Sequence, residues 1–213
     1  GHLECHYARV LGKLQPLSSA SVTLSIFPYY DNYRKLAALE YGMLCETMAM
    51  GMGNKMKRVG FVGSGALPLT SIVLGMHHLV AATFDNYDVD HNANELASNL
   101  LRSHHADLSH RMNFITRDIL HVGSEQLGCY DVVFLAALVG VGREEKLKIV
   151  KHIASHMKSG GILIIRSAKG GRAFLYPIVE EKDIVAQYSA LKIISVLHPT
   201  NEVINSIILA HKP

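Results

Sequence analysis

Two glycines and three acids carry the chemistry most directly legible in this chain: Gly63 and Gly65, then Asp88 and Asp90, then Asp118. The glycines follow the apolar run Val59-Gly60-Phe61-Val62, and a Gly-x-Gly there lets the backbone turn tightly and approach a ligand. Asp88 and Asp90 close the next apolar run, roughly 20 residues past the glycines, where a carboxylate can accept hydrogen bonds from ribose hydroxyls. Asp118 lies past the third run, where a carboxylate either accepts from an adenine amino group or caps a helix. Together they describe a pocket for an adenosyl group.

The spacing then separates two kinds of adenosyl ligand. A dinucleotide fingerprint wants a third glycine three residues after Gly65, for close packing of helix on strand, and this chain has Pro68 there. A nucleoside fits better than a pyrophosphate, and S-adenosylmethionine (SAM) is the commonest such ligand on sheets of this kind. Ser64 in the turn, with Ala136 and Ala137 past the fourth run, completes the expected cofactor contacts.

These residues need a sheet that brings its strand ends to one edge. Apolar runs at 59–62, 81–87, 113–115, 132–135 and 162–165 alternate with helical patterns at 69–75, 93–102 and 144–157. Such alternation predicts an α/β fold, a Rossmann-like parallel sheet of the class I SAM-dependent methyltransferase type with helices on both faces. Runs at 191–196 and 203–210 flank His198-Pro199-Thr200-Asn201 and predict a C-terminal antiparallel hairpin at one edge. Ahead of the sheet, Leu3, Tyr7, Val10, Leu11 and Leu14 make one helical face, and an aromatic cluster at 27–33 leads into a second helix. The Gly-rich stretch 49–54 separates a helical N-terminal region, 1–54, from a SAM-binding domain, 55–213.

Composition excludes several classes. A chain of 213 residues, 49% hydrophobic and 18% charged, can bury a sizeable core. Its net charge of +3 is spread without a basic stripe, which argues against nucleic acid as a partner. Cys5, Cys45 and Cys129 stand far apart, without the spacing of a disulfide framework or a zinc site. His152 and His156 lie one helical turn apart, but no nearby acid or Cys completes a metal set, and they read as residues of a solvated face. The adjacent pairs His77-His78 and His104-His105 read as surface residues. No apolar run reaches the roughly 20 residues of a membrane span and no leader pattern is present, so a cytoplasmic protein is expected. Nothing in the pattern speaks to oligomeric state.

The wording of several segments is more specific than their pattern. Phe61–Leu74, Tyr130–Gly140, Arg172–Val179, Phe27–Tyr33 and His198–Ser206 together resemble nicotianamine synthase, over essentially the whole chain. That resemblance implies joining of three aminocarboxypropyl groups from three SAM molecules, closure of an azetidine ring and release of methylthioadenosine at each step, with no metal required. It also implies a further helical region ahead of Gly1, so the chain reads as shortened at its N-terminus. The segment around Glu4 matches the one that carries the family's catalytic glutamate, with Tyr30 or Tyr33 as its aromatic partner. An α-amine nucleophile is protonated in neutral water and needs a general base, the role expected of Glu4. Arg166 and Arg172 could hold substrate carboxylates in their guanidinium forks, and Tyr176 is expected to bind substrate with them. An ordinary SAM-dependent methyltransferase and a catalytically silent SAM-binding paralogue or fragment stand as alternatives, because either would share the same glycines and acids.

Overall fold

Val59, Phe61 and Val62 are apolar on both sides of the chain, as a strand covered on both faces must be, and Arg58–Val62 (β1) lies inside a seven-stranded sheet. The computed structural model describes residues 2–13, 24–52, 55–168, 178–200 and 205–213. Among the described residues, two helices precede the sheet, α1 (His2–Lys13) and α2 (Tyr30–Ala49). After β1 come α3 (Leu69–His77), β2 (Thr83–Asp88), α4 (His91–His104), the single turn α5 (Ala106–Ser109) and β3 (Met112–Thr116). The single turn α6 (Ser124–Leu127) leads into β4 (Val132–Leu135), α7 (Arg143–His156) and β5 (Ile162–Ser167), and α8 (Glu181–Gln187), β6 (Lys192–Leu197) and β7 (Ser206–His211) follow.

The strand order is β3-β2-β1-β4-β5-β7-β6. All pairs from β3 to β5 are parallel, and β7 runs antiparallel to both β5 and β6. The expected hairpin is therefore present with its second strand inserted, so that β7 bonds to β5 and β6 takes the edge. Burial explains the order. Ile207, Ile208, Leu209 and Ala210 are all buried and need cover on both faces, whereas β6 is only half-buried along its length.

Alternation along the strands sorts the core into two layers. Val59, Phe61, Phe134, Ile164 and Leu209 face α2 and α3, meeting Leu36, Leu44 and Ile72, with Phe61 stacked on Phe134 at 5.7 Å between ring centroids. Val62, Val133, Leu135, Ile165 and Ile208 face the other way, against Ile149, Val150 and Ile153 of α7 and Ile184 of α8. Leu24, Phe27 and the α2 side chains belong to the first of these clusters, so the helical N-terminal region and the sheet share one core. A third, small cluster joins Ala8 of α1, Ala66 and Ala93 of α4. Side chains this small let α1 lie close above the glycine turn, and the His104 ring bonds the Leu11 carbonyl at 2.8 Å.

The histidines correct one expectation. His105 is 5% exposed, and burial, with the neighbouring His104 charge, lowers its pKa to about 4. His104 is likewise engaged, while His77 is exposed. His152 bonds the Val122 carbonyl and His156 the carbonyl of His152, so this pair serves backbone acceptors. Among the described residues no group of His, Cys, Asp and Glu is arranged to hold a metal ion, and no helix is long and apolar enough to cross a membrane.

Candidate functional site

The glycine turn sits where the parallel strands end. Gly63 and Gly65 adopt φ of +81° and +66°, conformations that L side chains rarely take. A Cβ at Gly63 would also overlap Val139 Cγ2. The N–H groups of Gly63 and Ser64 both donate to the Tyr87 carbonyl, at 2.8 and 3.2 Å, and Gly65 N–H donates to Asp88 Oδ2 at 2.8 Å. The acid that ends β2 thus holds the turn that follows β1. Ser64 Oγ is buried in this turn without a hydrogen-bond partner.

Asp88 and Asp90 have different jobs. Asp88 lines the cavity, half-buried, and its Oδ1 accepts from Asp90 N–H at 3.0 Å. Asp90 is not among the lining residues; its side chain accepts from Asn92 N–H at 2.9 Å and caps α4. Asp118 caps a turn and also stands at the cavity. Its Oδ1 accepts from Leu120 N–H at 2.9 Å at the start of the 3-10 turn Ile119–His121, and the residue lines the cavity.

Ala136 and Ala137 line the cavity beyond β4, and their carbonyls are gripped by Lys146 Nζ at 2.8 and 2.6 Å. Lys146 reaches them from α7 and is wholly buried. Burial, with a smaller contribution from the Arg166 charge, lowers its pKa to about 7. Sequence reading missed this residue, because a lysine in an amphipathic helix ordinarily faces water.

Glu4 and Tyr33 meet at the cavity wall, the Tyr33 hydroxyl donating to Glu4 Oε1 at 3.1 Å. Glu4 Oε2 lies 3.9 Å from where a Gly65 Cβ would be, so the carboxylate hangs over the glycine turn. Tyr30 does not join them. It is 6% exposed in the core, where burial raises its pKa, and it is absent from the lining.

Arg166 also lines the cavity, with two of its guanidinium nitrogens bonded inside the protein. Nε and Nη2 donate to Glu40 Oε1 and Oε2 at 2.7 and 2.8 Å, and Nη2 donates to Thr70 Oγ1 at 2.8 Å. Glu40 is fully buried, and a buried guanidinium without a counter-charge would be costly, so Nε and Nη2 of Arg166 serve an internal ion pair while the residue also lines the cavity. Arg172 and Tyr176 lie outside the described residues.

The resulting cavity has a volume of about 520 Å³, within the range of small-molecule sites. Val89, Leu138 and Val141 stand at its lining 72%, 62% and 97% exposed, apolar surface that a flat ligand would cover. Asn205 also lines the cavity, and its Nδ2 is buried without a partner. The strand-end rule overlooked it because β7 is antiparallel, which brings that strand's beginning to the edge where the parallel strands finish. Asp88 and Asp118 at one end and a Tyr-bound carboxylate over the turn suit a nucleoside that carries a cationic group.

Comparison with known proteins follows the same lines. A family model described as nicotianamine synthase protein matches residues 1–213. Nicotianamine synthase 3 of Arabidopsis thaliana is 49% identical over 214 residues, an alignment covering 100% of this chain and 63% of the relative. Nicotianamine synthase of Solanum lycopersicum is 46% identical over 213 residues, again covering 100% of this chain and 63% of its own length. The chain spans 59–63% of the length of the curated relatives it matches. Among solved structures, MtNAS in complex with MTA and tNA is similar with a TM-score of 0.74 and 26% identity, covering 100% of this chain and 70% of that one. The mitomycin 7-O-methyltransferase MmcR, at 14% identity and a TM-score of 0.64 over 87% of this chain and 54% of its own, shares the fold.

Proposed function

The chain belongs to the nicotianamine synthase family, and from that premise we propose that it binds SAM in the cavity and transfers its 3-amino-3-carboxypropyl group to an α-amine. Three such groups build nicotianamine, with methylthioadenosine leaving at each transfer. The substrate is a small molecule, the reaction proceeds without a metal, and the protein is cytoplasmic. In each step the amine nitrogen attacks the carbon attached to sulfur, the carbon–sulfur bond breaks, and its electron pair neutralises the sulfonium. The amine proton passes to Glu4.

One observation carries this reading: a carboxylate held by a tyrosine hydroxyl above the glycine turn, at the 3.1 Å contact between Tyr33 and Glu4. Every carbon on a sulfonium is activated, so the group transferred is the one whose carbon faces the nucleophile. Asp88 takes the ribose, Asp118 and the apolar rim take the adenine, and the aminocarboxypropyl arm then points toward Glu4.

Incubation with SAM and identification of the sulfur product tests the reading. Methylthioadenosine is expected; S-adenosylhomocysteine would make the protein a methyltransferase, and binding without turnover a silent relative. Glu4→Gln should still bind SAM while transfer falls by about 10²–10⁴-fold, the usual scale of a general base. Raising the pH should restore part of the loss, because solvent then deprotonates the amine. Tyr33→Phe should be milder than Glu4→Gln.

A further inference from the structure

Asn205 stands at the end of the cavity farthest from the nucleoside acids. Ser206 pairs with Ser167 across the antiparallel β5·β7 ladder, so Asn205 falls one residue beyond it, beside the carboxyl end of β5. Along the sheet edge the lining residues run from Asp118 after β3 through Asp88, the glycine turn, Ala136 and Arg166 to Asn205. From β2 to β7 is four strand spacings, about 19 Å. A nucleoside anchored at Asp88 therefore leaves Asn205 to whatever lies beyond its sulfur.

The amide there is a donor in need of an acceptor. A buried N–H without a partner costs free energy that a ligand can return by bonding to it. Nearby, the Arg166 fork is neutralised by Glu40, so charge at that fork is spent internally. Given the proposed aminocarboxypropyl transfer, we infer that Asn205 Nδ2 donates a hydrogen bond to a carboxylate oxygen of the accepting amino acid and so fixes where its amine points. The ligand class is an α-amino acid carboxylate, carried by the growing chain and not by the nucleoside.

Titration calorimetry with nicotianamine, which bears such carboxylates, tests this independently of turnover, and methylthioadenosine serves as the nucleoside probe. Asn205→Ala should weaken nicotianamine by about tenfold to a hundredfold, the loss of one hydrogen bond to a charged group. Asn205→Asp keeps the shape but sets carboxylate against carboxylate, and should weaken it further, with recovery as the pH is lowered toward the usual carboxylate range. Methylthioadenosine affinity should be unchanged in both variants, which also reports that the fold is intact. Unaltered nicotianamine affinity in Asn205→Ala, tighter binding in Asn205→Asp, or no nicotianamine binding by the unmodified chain would overturn the inference. Failure of the transfer reading would instead show as absent methylthioadenosine release from SAM by the unmodified chain.

Discussion

Asp88 joins two tasks that mutation can separate. Its Oδ2 accepts Gly65 N–H at 2.8 Å and so shapes the turn, while the residue also lines the cavity and is the proposed ribose acceptor. Asp88→Asn keeps an oxygen for Gly65 and should keep the thermal midpoint close to that of the unmodified chain. Asp88→Ala removes turn support and ligand acceptor together, and SAM affinity should fall by about 1.5–3 kcal/mol. Calorimetric titration of both variants, with melting curves, checks the separation; equal losses would make turn support irrelevant. At this scale the sequence was most legible where residue type limits geometry. Gly63 and Gly65 had to supply a turn, and both have positive φ. Asp90 was legible only as an acid near the right place, because a helix cap and a ribose acceptor use the same residue type at adjacent positions. Tyr30 and Tyr33 differ by three positions, and only the packing of α1 decides which of them meets Glu4.

Elements were readable from periodicity, but the ties between distant elements were not. The Glu40–Arg166 pair joins α2 to β5 across 126 residues, and no spacing rule connects them. Arg166 accordingly read as a substrate ligand, because a lone arginine at a strand end carries no mark of an internal partner. Glu40→Ala leaves the guanidinium buried and uncompensated and should destabilise the protein by about 3–5 kcal/mol. Replacing both partners, as in Glu40→Leu with Arg166→Met, should recover much of that loss in chemical denaturation, since an apolar pair leaves no stranded charge. A double variant as unstable as Glu40→Ala would show that the pair does more than neutralise itself. The hairpin illustrates the same limit: two apolar runs around a Pro-Thr-Asn turn were visible, but the choice of which strand bonds to β5 follows from burial on both faces of β7.

The molecule as a whole carries a pH dependence that its sequence misrepresents. Thirteen histidines suggest many exposed groups that titrate normally, yet His105 is held neutral in the core, its pKa lowered to about 4 by burial and by His104. Between about pH 4 and the usual histidine range near 6.5 the unfolded chain binds this proton more tightly than the folded one. Its contribution to stability is therefore present above that window and is lost as the pH falls through it. Melting curves from pH 7 to 4 should show a decline that His105→Gln, which cannot be charged, reduces. Parallel declines in both proteins would assign the acid limit to other groups. The placement of α1 has a different reach. This helix carries Glu4 and is seated on the sheet domain through Ala8, Leu11 and the bond from the His104 ring to the Leu11 carbonyl. Under the proposed transfer reaction, the docking of α1 would act as a clutch between holding the substrate and transforming it. Each 1.4 kcal/mol of docking free energy shifts the engaged-to-disengaged ratio about tenfold, and warming that disengages α1 would idle the chemistry while the sheet still grips its nucleoside.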